Sequence, residues 1–289
     1  MFVNQLLIAI HACGLIDAPP TKEALKQMTR PLGKVFNGPG MHAVYALTPD
    51  RLSLTLIHPD DGTSRETWSS NINVAQMKAV FDSAGVTWDP LLAEAMGNLP
   101  QGRLTRWQIC WRDPQAKWTS VGGHVVQIGD AAHACLPSAA NGASMAMEDA
   151  QSIAECLRLG GKGRVNLATK VHELLRYQRT ALVQRCGFAN KSALHDNTME
   201  DIVASDRKPL DYGKWLWAHN AERYATENFD LALASLVSGN PFENTNLPPG
   251  HQFEDWDVGK EETGACKFAT KDLRSNGDWG CVSVGRCSK

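Results

Sequence analysis

Nowhere in the 289 residues does an apolar run approach the roughly 20 residues that a membrane helix requires, so no membrane span is expected. There is also no CxxC pair. The eight cysteines, Cys13, Cys110, Cys135, Cys156, Cys186, Cys266, Cys281 and Cys287, are scattered rather than densely spaced. A disulfide framework is therefore not indicated, and reduced thiols in a cytoplasmic protein are the expectation. Ligands for zinc would have to be gathered from distant segments, so no metal site is expected. An excess of one charge is missing as well: 29 Lys and Arg stand against 31 Asp and Glu, a net charge of -2. With no long basic run, neither nucleic acid nor an anionic membrane is an expected partner. The opening MFVNQLLIAIHACG has an apolar patch from Leu6 to Ile10. No Lys or Arg precedes it and it is shorter than a secretory core, so it is not read as a leader.

What the chain does contain is 43% hydrophobic residues, enough for one large core or two modest ones. The first 40 residues are broken by Pro19, Pro20, Pro31 and Pro39, with only a brief helical pattern at Glu23 to Met28. From His42 the segments HAVYAL and RLSLTLIHP alternate with period two, placing Leu52, Leu54 and Leu56 on one face. The turn signal Pro59-Asp60-Asp61-Gly62 follows, and an antiparallel hairpin is expected. Val74, Met77, Val80 and Phe81 space as an amphipathic helix that Gly85 would stop, and another helix starts at Pro90. Trp107 to Trp111 and the run His124 to Ile128, HVVQI, read as strands, the second one buried. Ala146, Ala150, Ile153 and Leu157 then define the apolar stripe of a helix from Ala143 to Leu159. A second helix from Val165 to Phe188 carries Val171, Leu175, Leu182 and Cys186 inward, with Arg176, Arg179 and Arg185 elsewhere on its surface. Further helix is expected at Tyr212 to His219 and Leu231 to Val237, and an irregular tail past Asn240.

The chemistry is concentrated in residues 126 to 150, VQIGDAAHACLPSAANGASMAMEDA. Gly129 lets the backbone turn sharply, and Asp130 offers a carboxylate that can accept hydrogen bonds from a polyol. Asn141, Gly142 and Ala143 begin a helix without bulk, leaving amide N–H groups and the positive dipole end open to an electron-rich ligand atom. Glu148 and Asp149 read as acids favoured by that same dipole. His133 reads as a loop-shaping residue. Arg112-Asp113 reads as a turn-fixing ion pair rather than a substrate clamp.

GDAAHA followed by Pro and then by GA and EDA resembles the second flavin-contact motif of group A flavoprotein monooxygenases. WRDP at 111 to 114, KWLWAHNAERYA at 214 to 225 and PFENTNLPPGH at 241 to 251 extend the resemblance to fungal hydroxylases of the salicylate-hydroxylase-like type. The resemblance implies that FAD is bound with Asp130 on the ribityl chain, Pro137 lining the flavin face, and Gly142 and Ala143 at the ring. It also implies NAD(P)H and O2 as co-substrates and a phenolic or polyketide-like small molecule of secondary metabolism as substrate. Tyr45, with Ala46 where the family has Pro, takes the position of the tyrosine that orients the phenolate.

A complete member of that family begins with a strand, a GxGxxG turn and a helix that bind the FAD pyrophosphate, and no such unit precedes residue 40. Gly38-Pro39-Gly40-Met41-His42-Ala43 has only the formal spacing, because Pro39 and the strand that follows contradict the required context. The expected fold is thus an α/β (α+β) architecture: a partial group A monooxygenase fold without its Rossmann GxGxxG unit. Residues 1–110 are expected to form a largely antiparallel substrate-domain sheet, 111–200 the helical part of the FAD domain, and 201–289 a helical and irregular extension. Weak flavin binding, a flavin-free descendant acting as isomerase, cyclase or binder, and an inactive truncated product are the alternatives. Apolar surface left bare by the missing strands makes a homodimer an expectation.

Overall fold

In the computed structural model, residues 7–15, 30–60, 62, 72–99, 104–195 and 212–262 are described. The chain divides into two compact units, one built from residues 4–110 with 192–207, the other from 1–3, 111–191 and 208–289.

The first unit holds a five-stranded antiparallel sheet. Its strands are β1 (Leu7–Leu15), β2 (Leu32–Gly38), β3 (Met41–Leu47), β4 (Arg51–Pro59) and β5 (Leu104–Ile109), in the order β2-β3-β4-β1-β5. The expected hairpin forms with Tyr45 opposite Leu54 and Leu47 opposite Leu52. Period two then places Ala43, Tyr45, Leu52, Leu54 and Leu56 in one core. Helices α1 (Val74–Ser83) and α2 (Pro90–Gly97) contribute Met77, Phe81, Leu92 and Ala95 to it. Each begins on a cap that the local sequence supplies. Asn73 and Gln76 form a reciprocal capping box, and Asp89 accepts the Leu91 amide ahead of Pro90. Gly85, at φ +64°, follows the cap residue Ala84 at the end of α1.

Two strands escape the sequence pattern. β1 lies inside the sheet between β4 and β5, and Leu7, Ile8, Ala9 and Ile10 are all buried, so its residues are apolar on both faces and the alternation is lost. Among the described residues β2 pairs with β3 alone, and it carries exposed Lys34 and Val35, as an edge strand does. The helical pattern at Glu23 to Met28 lies outside the described residues. The strand read at Trp107 to Trp111 is displaced to Leu104–Ile109. Gly38-Pro39-Gly40 forms the β2–β3 hairpin turn, with Gly40 at φ +67°. A Cβ on Gly38 would stand 2.2 Å from the Trp88 ring, so packing explains that glycine.

The second unit is helical. Its elements are α3 (Asp130–His133), a 3-10 turn Pro137–Ala139, α4 (Gly142–Gly160), α5 (Val165–His195, of which residues 192–195 belong to the first unit), α6 (Lys214–Trp217), α7 (Ala221–Ser238) and α8 (Val258–Glu262). Cys156 of α4, Ala168, Val171 and Leu175 of α5, and Ala225, Phe229 and Ala232 of α7 form one apolar cluster. Three expectations are corrected here. HVVQI is not a buried strand: Val125 is 65% and Ile128 40% exposed, and the run makes one isolated bridge, Val126 with Thr119, with no second strand beside it among the described residues. The buried stripe of α4 is Met145, Asp149, Ser152 and Cys156, one residue before the expected set, because the helix buries polar groups that have partners. Arg176, Arg179 and Arg185 are buried rather than on the surface, since each meets a carboxylate.

Leu54 is fully buried at the centre of the sheet core. Truncation to Ala there is expected to destabilise the sheet unit by about 2–5 kcal/mol, read as a lower urea midpoint, because the surrounding side chains only partly fill the void.

Candidate functional site

The site is built around two backbone turns. At the first, Gly129 takes φ 57° and ψ -142°, a left-handed conformation that favours glycine. A Cβ there would also stand 3.2 Å from the Ala146 methyl. Asp130 follows with its side chain exposed, opening the single turn of α3. The turn is held from outside by Arg112, whose Nη2 donates to the Ala131 carbonyl at 2.7 Å and more weakly to that of Asp130 at 3.4 Å. Gln115 Nε2 donates to the Ala132 carbonyl at 3.0 Å. Arg112 is thus a loop anchor rather than half of a turn-fixing pair with Asp113, which instead accepts the Val258 amide.

From inside, the turn is held by Asp149. Its Oδ2 accepts from the Gly129 amide at 2.9 Å and from His133 Nε2 at 2.6 Å, while Oδ1 accepts from Arg176 Nε at 2.8 Å. Asp149, His133 and Arg176 are all essentially excluded from solvent. Burial alone would push the Asp149 carboxyl up, but the His133 and Arg176 donors together with the Gly129 amide outweigh it and hold it below the ordinary carboxylate range. The neighbouring Glu148 is bonded by Arg176 and by Nε and Nη2 of Arg179, both at 2.8 Å, and is likewise lowered against its burial. Arg179 also donates to the carbonyls of Trp215, Leu216 and Asn246 and lies over the Trp215 ring. Glu148 and Asp149 are therefore members of a buried ion network, not dipole-favoured acids of a first helical turn. His133 is a structural donor, as its sequence position suggests.

The second turn is the loop from Pro137 to Asn141. Tyr212 Oη donates to the Ala139 carbonyl at 2.7 Å, Asn190 Nδ2 to the Ser138 carbonyl at 3.1 Å, and Ser138 Oγ to the Gly187 carbonyl at 2.8 Å. Ala140 then sits at φ 53°, ψ 20°, the one non-glycine residue with positive φ among the described residues. Asn141 precedes α4 but gives it no side-chain cap, because its Nδ2 donates back to the Ala139 carbonyl at 2.7 Å. Met145 is the first residue to bond into the helix, through the Asn141 carbonyl. The amides of Gly142, Ala143 and Ser144 find no acceptor among the described residues.

The two turns meet. A Cβ placed on Gly142 would stand 3.3 Å from Cys135 Sγ and 3.9 Å from Asp130 Oδ1. The Asp130 carboxylate thus lies beside the open amide end of a 19-residue helix. Cys135 is no nucleophile: burial and then the Asp130 charge push its thiol up to about 12. Gly129, Asp130, Asn141, Gly142 and Ala143 are accordingly brought together, with Pro137 at the start of the connecting loop. Tyr45 is in the other unit, 3% exposed, edge-on to Phe36 and inside the sheet core. Burial and then the charge of Glu94 raise its pKa. Arg112, Gln115, Arg176, Arg179, Asn190 and Tyr212 were not singled out for the site from sequence. The pairing of Glu148-Asp149 with two arginines three residues apart on the next helix was the available signal. Among the described residues no cluster of three or more His, Cys, Asp or Glu is arranged for a metal, and no helix is long and apolar enough to cross a membrane.

His172 lies in the same interior, its Nδ1 bonded to Ser152 Oγ at 3.0 Å, and burial pushes it down to about 3. Unfolding releases it to an ordinary value near 6.5, so the unfolded chain takes up the proton first and stability falls as pH drops from about 6.5 toward 3. Asp149 and Glu148, lowered in the folded state, add to that loss below about 4. Urea midpoints measured from pH 7.5 to 5 are expected to decline, and His172→Gln is expected to flatten the decline.

No protein-family model matches the chain. Over 288 residues it is 37% identical to the FAD-dependent monooxygenase fsr3 of Gibberella fujikuroi, spanning 94% of this chain and 54% of that protein. It is 35% identical over 255 residues to the FAD-dependent monooxygenase mdpD of Emericella nidulans, 86% of this chain and 49% of that one. The crystal structure of CtdE in complex with FAD and a substrate superposes with a TM-score of 0.70 at 23% identity, covering 82% of this chain and 58% of CtdE, which establishes the shared fold. The chain spans about half the length of the curated relatives it matches. It is a homologue of the fungal FAD-dependent monooxygenases and, over most of its length, shares the fold of CtdE.

Proposed function

We propose that this chain supplies the isoalloxazine and ribityl contacts of an FAD-dependent monooxygenase acting on a phenolic or polyketide-like small molecule with NAD(P)H and O2. The observation that carries the reading is the open end of α4. Three amides without acceptors, a glycine that leaves the approach bare, and an exposed carboxylate within reach of the same spot suit an electron-rich ring edge joined to a polyol. Bound flavin would supply the electron transfer and oxygen activation that the side chains of this unit cannot. The chain's own residues do the rest. The Gly142 and Ala143 amides and the α4 dipole favour negative charge on the ring edge. Asp130 accepts hydrogen bonds from ribityl hydroxyls. Pro137 lines the ring. Gly129 gives the turn its left-handed bend.

The direct test is an absorbance spectrum of the full chain after incubation with FAD and desalting. A retained flavin band is the expected result. Asp130→Ala is expected to weaken FAD binding by about tenfold or more, the equivalent of hydrogen bonds to a charged acceptor. A folded but colourless wild-type protein would count against the flavin reading and in favour of a flavin-free isomerase, cyclase or binder. Val121, Val125 and Met147 expose apolar side chains that a second copy of the chain would cover. Light scattering showing a monodisperse monomer would sink the homodimer.

A further inference from the structure

Asp149 reaches back from the third turn of α4 to the backbone of the turn that precedes it, and all three of its partners are donors: the Gly129 amide, His133 and Arg176. The same helix offers the open amides of Gly142 and Ala143 at its start. One buried carboxylate therefore ties together the two halves of the site, the Gly129-Asp130 turn and the amide end of α4. Through Arg176, Glu148 and Arg179 the tie continues to the main chain of Trp215, Leu216 and Asn246.

We propose that Asp149 is a positioning residue that fixes the Asp130 carboxylate relative to the α4 amides, so that the ring and the sugar-like chain of one flavin can be held at once. The proposal rests on the flavin reading for its ligand, but the tie itself is a property of the protein alone. Asp149→Asn is close in size yet places an NH2 group against at least one buried donor, because both carboxylate oxygens face donors only. Its first consequence is release of the Gly129 to His133 turn.

Two measurements on the full chain test this. Riboflavin and lumiflavin share the ring and differ in the ribityl chain, so the ratio of their dissociation constants reports how well the two halves are aligned. In the wild type riboflavin is expected to bind more tightly. In Asp149→Asn that advantage is expected to shrink about tenfold or more while lumiflavin affinity is kept. A role limited to general stability would instead weaken both ligands equally, and that result overturns the proposal. The second measurement is hydrogen exchange of the ligand-free protein. The amides of residues 129–133 are expected to lose protection in the variant while α5, α7 and the sheet unit keep theirs. Unchanged protection at 129–133 overturns the positioning role. A wild type that binds neither flavin would overturn the flavin reading and leave exchange to decide on the tie. Should Asp149→Asn not fold, His133→Leu removes one leg of the tie and leaves the Arg176 pair, with the same two readouts expected to move less far.

Discussion

A carboxylate sealed from water is costly unless it is paired and both its oxygens are hydrogen-bonded, and Asp149 meets that condition with a main-chain amide, an imidazole and a guanidinium. The rest of the helical unit is arranged around this one charge. Arg176 can be buried because Asp149 and Glu148 both receive it, and Arg179 because Glu148 and three carbonyls do. Such pairs contribute little net stability against an apolar core of equal volume. Breaking one, however, leaves an uncompensated interior charge at about 3–5 kcal/mol. What the network gives the protein is therefore geometry more than stability. It sets α4 against α5 and fixes the turn at Gly129, and it passes the constraint to the C-terminal carbonyls at Trp215 and Asn246.

The same charges explain which parts of the fold could be read from the sequence. The order of the central motif was legible, because left-handed turns need glycine and a bare helix start needs small residues, and both requirements are local. The hairpin of β3 and β4 was legible for a similar reason, since one buried face imposes period two. The apolar stripe of α4 lies one residue away from its buried face, because that face contains Asp149 and Ser152 with their partners on another helix. Charge alone likewise points Arg176 and Arg179 to the surface, and their carboxylate partners on another helix bring them inside. β1 was hidden for the opposite reason: Leu7, Ile8, Ala9 and Ile10 are buried in succession, so the first half of the strand is apolar on both faces and loses its alternation. No rule of local pattern recovers a residue whose environment is made by distant chain.

HVVQI shows the limit from the other side. Its composition is that of an interior strand, yet the described residues give it one bridge and leave Val125 and Ile128 exposed. Strand character in a sequence states what a segment would do beside a partner strand, and the partner has to be supplied by other chain.

The open end of α4 is the point where local preference and observed structure disagree most usefully. Asn is a favoured cap, and a cap of that type ordinarily stabilises its helix by about 0.5–2 kcal/mol. Here Asn141 is present in the right place and does not cap, because its carboxamide is held by the Ala139 carbonyl. Ala140 beside it is in a left-handed conformation that alanine rarely takes, and the loop keeps it there through the bonds from Tyr212 and Asn190. The loop thus spends its contacts on withholding the cap. Three amides stay open at the positive end of a long helix, next to a carboxylate that is itself exposed. A helix whose only task was packing would gain by letting Asn141 turn outward. The arrangement becomes favourable only when something outside the helix accepts those hydrogen bonds, and a ligand with an electron-rich edge is the natural acceptor.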